Sequence, residues 1–307
     1  MFQLLGNMSI DLMRWRWYSF ALSSFFAILG LVALVQISRG AANLGIDFSG
    51  GTAVQLKFEE PVAVEPIRTA LQKYGLAHVE LQGSLTDNKL MIRLKAATSL
   101  EEQIADRVVR AIQQEFTNSR FAVESTSEIG PSIGRKLQED ALLAILISIA
   151  GIVTYIALRF DVRFGVAAGL ATVHDVLAVL GLFYVLDKEM TLLVVTALLT
   201  LAGYSLTDTV VVFDRIREHL RRRRGEKFEA VINAAVNQVL SRTVVVCSTV
   251  ILVLIPLTVA GGEVLHDFSL ALLLGVVIGT YSSIFVASPL LVLWPSATSS
   301  IPSRGST

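Results

Sequence analysis

Six long apolar runs constrain the fold of this chain more than any other feature of its sequence. A helix needs about 20 apolar residues to cross a bilayer core of about 30 Å. Runs of this kind lie at residues 17–37, 141–158, 164–186, 190–213, 243–260 and 268–294. Only 17% of the 307 residues are charged, against about 25% in soluble proteins. The sequence therefore predicts a polytopic α-helical membrane protein with six transmembrane helices, and it excludes a disordered chain or an ordinary soluble enzyme.

Basic residues predict how these helices are oriented, because cytoplasmic loops carry an excess of Lys and Arg. They lie before the first run and in alternate loops, at Arg14, Arg16, Arg159, Arg163, Arg215, Arg217, Arg221, Arg222, Arg223, Arg224 and Lys227. The other short loops hold one Lys or none. We therefore predict that both termini are cytoplasmic and that the Arg-rich loop either only fixes topology, touching anionic lipid, or also docks a partner.

The same pattern divides the chain into four parts. We predict an N-terminal segment with an uncleaved first helix (1–37), an outer domain (38–138), a five-helix bundle (139–294) with a cytoplasmic basic loop (214–241), and a disordered cytoplasmic tail (295–307). The first run is not predicted to be a signal peptide, because it is longer than a usual h-region and no clean cleavage site follows.

The outer domain shows the periodicities of a small soluble domain. Alternation predicts strands at 51–58, 77–81, 89–94 and 121–125, and apolar stripes predict helices at 64–74 and after Ser99, where Glu102 completes a capping box. The order β-α-β-β-α-β predicts a ferredoxin-like α+β domain inserted between helices 1 and 2. Its nearly balanced charge argues against nucleic acid as a partner.

Ionisable residues inside the apolar runs are costly and mark candidate functional residues. Asp208 has a short side chain, so it must be protonated, paired or hydrated. If Arg242 approaches and withdraws, Asp208 can bind and release a proton; alternatively, Arg242 only extends to the headgroups. Asp175 is a second candidate for the proton relay, whereas His174 fits a structural role. Adjacent helical residues point about 100° apart, so these two need not pair.

Glycines mark two chain junctions and two helix contacts. The junctions on either side of the outer domain contain Gly50 and Gly51, and then Gly130, Pro131 and Gly134, and they are either hinges or ordinary turns. The spacing of Gly165 with Gly169 and of Gly275 with Gly279 predicts close helix packing. Pro256 is expected to kink the fifth helix.

The sequence predicts no cofactor and no metal site. Cys247 is its one cysteine, and its four histidines are scattered without a ligand spacing. No G-x-x-x-x-G-K-[ST] motif is present, which excludes a P-loop nucleotide site.

Five motifs in order resemble those of the SecF subunits of the SecD/SecF protein-export family, which is related to the resistance-nodulation-division transporters. They are GIDFSGGT (45–52), IGPSIG (129–134), VHDV (173–176), YSLTDTVVVFDRIRE (204–218) and LSRT (240–243). The resemblance covers most of the chain. The family often has Asn where Thr207 stands, and this chain lacks the large extra outer domain that is typical of SecD.

This resemblance implies partners and a role. Such chains form a heterodimer with SecD in the bacterial inner membrane and join the SecY-SecE-SecG channel, often with YajC. They use the proton motive force to promote translocation and release of unfolded preproteins, after SecA has driven their entry. The family residues that match Asp208 and Arg242 are regarded as part of the proton path. The match of Asp175 to a residue of that path is weaker.

We therefore predict a proton-coupled export auxiliary that is not an enzyme. Two alternatives stay open: a small-molecule proton antiporter of the same superfamily, and a passive assembly scaffold of the channel. The single small outer domain argues against the antiporter, which needs a substrate pocket bounded by two large outer domains. Replacing Asp208 and Arg242 together with a neutral pair would separate a proton carrier from a scaffold.

Overall fold

The computed structural model describes residues 10–60, 62–76, 79–84, 88–95, 104–116, 119–223 and 225–294. In chain order the elements are α1 (Arg16–Ser38), α2 (Ile46–Ser49), β1 (Gly51–Phe58), α3 (Val64–Lys73), β2 (Val79–Ser84), β3 (Lys89–Lys95), α4 (Ile104–Glu115), β4 (Phe121–Ile129), α5 (Pro131–Arg159), α6 (Val162–Val185), α7 (Leu192–Arg222), α8 (Phe228–Ala260), α9 (Gly262–Ser282), one π-helical turn (Ser283–Ala287) and α10 (Ser288–Leu293).

These elements form two compact units. Of the described residues, the helical unit contains those of 10–42, 144–188 and 193–294, and the α+β unit contains those of 43–143 together with Glu189–Leu192. The α+β unit therefore includes the short link between α6 and α7, of which residues 190–192 belong to the fourth predicted apolar run. The predicted tail (295–307) and the predicted capping box at Ser99 and Glu102 lie outside the described residues.

Within the part of the chain that the structure describes, six helices are long and apolar enough to cross a membrane, which confirms the prediction of a multi-pass membrane protein. They are α1 with the turn before it, α5, α6, α7, α8, and α9 continued through the π turn into α10. Most of α6 is buried, whereas few residues of α5 and α8 are buried and many of their apolar side chains are exposed. The helical unit is therefore organised around α6, and α5 and α8 present apolar faces to the surroundings.

Two glycines let α1 and α6 approach until their backbones touch. A Cβ at Gly30 would overlap the main-chain oxygen of Leu177, and a Cβ at Gly181 would lie 2.7 Å from the main-chain nitrogen of Gly30. In lipid, helices associate through close van der Waals packing of this kind. This contact was not predicted, because the two glycines lie on different helices and form no small-xxx-small pair.

The contact between α5 and α6 uses the predicted glycine pair. A Cβ at Gly165 would lie 2.8 Å from the main-chain oxygen of Val153, and a Cβ at Gly169 would overlap the side chain of the same residue. Gly165 and Gly169 are one turn apart, so they form a continuous groove along α6. The side chain of Val153 occupies the Gly169 end of that groove.

The fifth transmembrane helix is longer than the sequence suggests. The sequence places a basic loop at 214–241 and begins the fifth apolar run at residue 243, but residues 228–260 form the single helix α8. No glycine or proline interrupts this stretch before Pro256, so nothing in it ends the helix. Arg242 consequently lies well inside α8 rather than at its start, and only residues 223–227 link α7 to α8.

The α+β unit has the predicted ferredoxin-like topology. Its four strands pair antiparallel in the order β2-β3-β1-β4. The core is formed by fully buried aliphatic residues of the sheet and of α3 and α4, among them Val54, Leu56, Ile67, Leu71, Ile92, Val108 and Ile112. In contrast, β4 is an edge strand with almost no buried residue. The prediction of a small α+β domain inserted between the first two transmembrane helices is therefore confirmed.

We expect Gly181→Val to destabilise the helical unit. The added side chain would meet backbone atoms of α1, which cannot rotate away, and overpacking of this kind costs about 1–3 kcal/mol. Thermal unfolding of the purified chain in detergent, followed by circular dichroism, should show a lower midpoint. Gly151→Val is the matched control, because no atom lies within 4 Å of a Cβ at Gly151. Equal midpoints for the two variants would contradict this account of the contact.

Candidate functional site

A fully buried carboxylate joins three helices of the helical unit. Asp175 lies on α6, and its Oδ2 accepts hydrogen bonds from the hydroxyls of Ser205 on α7 (2.6 Å) and Ser282 on α9 (2.8 Å). Hydrogen bonds to a charged group in a region of low dielectric are stronger than those between neutral groups. This carboxylate therefore fixes the mutual position of α6, α7 and α9.

The predicted glycine pair on α9 brings the two serines within reach of Asp175. A Cβ at Gly275 would lie 2.5 Å from the side chain of Leu201, and a Cβ at Gly279 would lie 3.0 Å from Cβ of Ser205. With no side chains at these positions, α9 packs directly on α7. Ser282, less than one turn after Gly279, then lies beside Ser205 and faces the same carboxylate oxygen.

The regular winding of the sixth transmembrane helix changes immediately after Ser282. A π-helical turn, Ser283–Ala287, separates α9 from α10, and the hydroxyl of Ser288 donates to the main-chain oxygen of Ser283 (2.9 Å). Single π turns inside α-helices occur frequently at functional sites. This turn was not predicted, although serines at 282, 283 and 288 interrupt an apolar run and were a usable signal.

His174 pairs with Asp175, a contact that their angular separation left open. Nδ1 of His174 lies 3.0 Å from Oδ1 of Asp175, and the imidazole is nearly buried. Side chains of adjacent helical residues can still bend toward each other although their Cβ atoms diverge. Within the described residues, Nε2 of His174 has no hydrogen-bond partner. The histidine thus orients the carboxylate, which fits the structural role predicted for it.

Asp208 lies on α7, three residues after Ser205. The residue is only 7% exposed, and among the described residues its Oδ2 finds no hydrogen-bond partner. The same is true of the buried hydroxyl of Tyr204, one turn earlier on the same helix. A buried polar atom without a partner costs about 1–3 kcal/mol. Unlike Asp175, this carboxyl group is therefore not held by the protein around it.

Arg242 lies on the neighbouring helix α8 and acts on Asp208 only at a distance. Its charge interacts electrostatically with the carboxyl group, but within the described ranges no ion pair of 4 Å or less joins the two residues. Arg242 itself is exposed, while the next residue, Thr243, is buried. Farther along these helices Tyr204 of α7 packs on Cys247 of α8. The predicted proton-relay pair is thus close but not in contact.

Two of the junction glycines have backbones that require glycine. Gly50 has φ of 71° and Gly51 has φ of 141°, a region that other residues rarely adopt. They connect α2 to β1 and so turn the chain into the sheet. Gly130 differs, because its φ is not in this region and no atom lies within 4 Å of a Cβ there.

The two predicted junctions pack against each other within the α+β unit. A Cβ at Gly50 would lie 2.9 Å from Cα of Pro131, and a Cβ at Gly134 would lie 2.8 Å from the main-chain oxygen of Phe48. Nε2 of Gln138 also donates to that oxygen (2.9 Å). The first turns of α5 are therefore held on the glycine turn before β1, which sequence reasoning treated as a separate element.

The link between α6 and α7 forms hydrogen bonds with residues 43–47, just before the glycine turn. Met190 donates to the main-chain oxygen of Asn43 (2.8 Å) and accepts from the main-chain nitrogen of Gly45 (2.8 Å), which forms a short parallel bridge. Oδ2 of Asp47 accepts a hydrogen bond from the main-chain nitrogen of Leu192 (2.9 Å), the first residue of α7. The Asp47 carboxylate therefore caps the N-terminus of the helix that carries Asp208.

One buried ion pair strengthens this attachment. Glu189, in the link, pairs with Arg93 of β3, and its side chain is 8% exposed. This contact was not predicted, because the short loop that contains Glu189 gives no local sign of an ion pair with a residue more than 90 positions earlier in the chain.

Comparisons with known proteins identify the family. Residues 108–297 match the family described as Protein export membrane protein SecD/SecF, C-terminal, and residues 42–62 match the SecD/SecF GG Motif. The chain is 48% identical to Protein translocase subunit SecF of Thermodesulfovibrio yellowstonii, over 95% of this chain and 97% of the relative. It is 39% identical to the SecF subunit of Vibrio alginolyticus, over 94% and 91% of the two chains.

A solved structure agrees with this result. The crystal structure of SecDF, a translocon-associated membrane protein from Thermus thermophilus, superposes with a TM-score of 0.82 and 34% sequence identity. A structure of SecDF in a super-membrane-facing form gives a TM-score of 0.69. Both matches cover 96% of this chain but only 39% of the SecDF chain. Sequence, motifs and fold thus agree that the chain belongs to the SecD/SecF family of protein export membrane proteins.

Proposed function

We propose that this chain is the SecF-type subunit of a Sec protein-export machinery and that it converts the proton motive force into movement. The observation that carries the proposal concerns α7. Its first residue, Leu192, is capped by Asp47 of the α+β unit. Asp208 follows sixteen residues later, about 24 Å along the same helix, with a carboxyl oxygen that no described protein atom binds. One helix therefore connects a titratable group inside the membrane to the α+β unit.

In this proposal Asp208 carries the proton and Arg242 counters its charge when the proton leaves. A charge that crosses 100 mV provides about 2.3 kcal/mol, which is enough to shift a two-state equilibrium by more than tenfold. Because Arg242 does not touch Asp208 in this arrangement, an alternative arrangement that brings them together would release the proton. These two arrangements would be the two conformational states of the subunit.

Movement of α7 would pass to the outer side through the link and the junctions. The link residues Glu189–Leu192 belong to the α+β unit, so a shift or rotation of α7 pulls on them directly. The unit would then move against an unfolded preprotein and promote its release after SecA-driven entry. The packed glycine turn at Gly50 and Gly51 is the element that would change its backbone conformation.

The surface of the helical unit supports partners within the membrane. Both α5 and α8 expose long apolar faces, and Arg242 is exposed on α8. A charged residue on a membrane helix normally faces protein or water rather than lipid. We infer that SecD covers this face in a heterodimer. The SecY-SecE-SecG channel, YajC and SecA would be the further partners, in a bacterial inner membrane with cytoplasmic termini and residues 38–138 outside.

We expect Asp208→Asn to abolish the part of late preprotein translocation that depends on a proton gradient, because the amide cannot bind and release a proton. Translocation would be measured in membrane vesicles with and without the gradient, after checking that the complex with SecD still assembles. Asp161→Asn, at an exposed position between α5 and α6, is the control and should behave as the wild type. Gradient-dependent translocation by the Asp208→Asn variant would favour the scaffold alternative.

Substitutions of Asp175 should separate a proton relay from a purely positioning role. An asparagine can still accept hydrogen bonds from Ser205 and Ser282, whereas leucine cannot. As part of the relay, Asp175→Asn is expected to lower gradient-dependent translocation at least tenfold and leave the thermal midpoint within a few degrees. Asp175→Leu should lower both, because it leaves buried hydroxyls unpaired at about 1–3 kcal/mol each. Full activity of Asp175→Asn would assign this residue to positioning alone.

Asp47→Ala tests the connection between α7 and the α+β unit. It removes a cap worth about 1 kcal/mol, so gradient-dependent translocation should fall severalfold while assembly with SecD is unchanged. Asp106→Ala, at an exposed position of α4 whose side chain makes no hydrogen bond that the structure records, is the matched control. If both variants lose equal activity, the cap does not transmit the movement.

A further inference from the structure

A cavity of about 460 Å³ lies in the helical unit where the chain before α1 meets the start of α8. Its lining combines basic (Arg14, Arg16, Lys227), acidic (Asp11, Glu229), aromatic (Trp17) and amide (Asn233) side chains. Its volume lies in the range of roughly 300–1,000 Å³ that is usual for small-molecule sites. None of these residues takes part in the proton relay proposed above.

The walls of this cavity are fixed by an amide network. Asn233 of α8 accepts from the main-chain nitrogen of Met13 (3.0 Å) and donates to the carboxylate of Asp11 (2.6 Å). One turn later, Asn237 exchanges two hydrogen bonds with the main chain of Ile10 (3.0 and 2.8 Å). The turn before α1 is therefore held rigidly against α8, and the cavity is preformed.

The charges in the cavity favour an anion. Three basic residues (Arg14, Arg16 and Lys227) and two acidic residues (Asp11 and Glu229) line the cavity, which leaves one net positive charge. Glu229 is paired with Arg16, and Asp11 keeps its charge while its Oδ1 accepts hydrogen bonds from Asn233 and from the main-chain nitrogen of Arg14. Among the residues that the structure describes, the guanidinium of Arg14 and the ammonium of Lys227 have no ion-pair or hydrogen-bond partner. Lys227 is also the N-cap of the 33-residue helix α8, whose N-terminus adds positive potential.

Aromatic residues place the cavity at the level of lipid headgroups. Trp15, Trp17 and Tyr18 are 57%, 65% and 73% exposed at the start of α1. Exposed Trp and Tyr at the end of a transmembrane helix mark the membrane–water interface. The basic residues here predict that this is the cytoplasmic interface, where anionic lipids attract clusters of Lys and Arg. Trp17 also lines the cavity, and the guanidinium of Arg16 lies 5.8 Å from its ring centre.

We propose that this cavity binds the phosphate headgroup of an anionic glycerophospholipid. Arg14 and Lys227 bind the phosphate, Trp17 packs against the glycerol region, and the acyl chains follow the exposed apolar surface of α1. A soluble phosphate compound would satisfy the same two cations, but the ring of exposed aromatic residues beside the cavity favours a lipid. The bound lipid would fix the start of α1 to the start of α8.

Native mass spectrometry of the full chain in its complex tests the proposal, with phosphatidylglycerol as the probe and phosphatidylcholine for comparison. Phosphatidylglycerol should bind more tightly than phosphatidylcholine. Each cation near a membrane surface contributes about fivefold to such binding, so Arg14→Gln combined with Lys227→Gln should weaken phosphatidylglycerol binding roughly 25-fold. The matched control, Arg163→Gln with Arg221→Gln, removes the same charge outside the cavity and should change binding less than about twofold.

A variant that should tighten lipid binding separates a specific effect from misfolding, because misfolding would only weaken binding. Glu229→Gln removes a negative charge from the cavity and frees Arg16, so it should tighten phosphatidylglycerol binding by about fivefold on the same scale. Equal binding of the two lipids, or equal losses in the double variant and its control, would overturn the proposal. Displacement of phosphatidylglycerol by millimolar inorganic phosphate would also overturn it, because the site would then serve a soluble anion.

Discussion

The helical unit depends on the carboxylate of Asp175 and its two serine donors. Three helices contribute to this one buried group, and helices in lipid have no hydrophobic driving force to bring them together. Its position follows from the glycines that remove side chains between α7 and α9. The acidic group, its hydroxyl donors and the small residues therefore contribute to one contact between three helices, and this contact needs all of them. The π turn begins immediately after the donor on α9, so the change of winding lies beside the carboxylate.

The two acidic residues within transmembrane helices have different environments. Both oxygens of Asp175 have hydrogen-bond partners, whereas Asp208, only three residues beyond one of those donors, has an oxygen without a partner among the described residues. Hydrogen bonds hold a carboxyl group in place, and one without them can respond to protons, water or an approaching cation. In the function proposed above, a change at Asp208 would therefore pass along α7 while Asp175 keeps the neighbouring helices in position.

The features that could be predicted from the sequence are those that depend on residues close together in the chain. The length of the apolar runs gave six transmembrane helices, because the bilayer fixes that length, and alternating patterns gave the ferredoxin-like domain. It singled out Asp175 and Asp208 as candidate residues, because a charge in an apolar run is conspicuous, and their part in a proton relay stays a prediction. It missed two contacts between distant positions, the Gly30–Gly181 packing and the cap that Asp47 places on α7, and it missed the π turn. It also left the pairing of His174 with Asp175 open, since backbone angles alone do not describe where side chains bend.

The composition of the α+β unit also has a consequence for how the protein is made. Residues 189–192 complete the unit, yet they are synthesised after α5 and α6, later than all four strands of the sheet. Assembly of the unit must therefore wait until α6 has been inserted with its C-terminal end on the same side of the membrane as the sheet. If α6 were inserted in the wrong direction, Glu189 would emerge on the opposite side from Arg93 and the unit would remain incomplete. The ion pair thus makes completion of the α+β unit depend on the direction in which α6 is inserted.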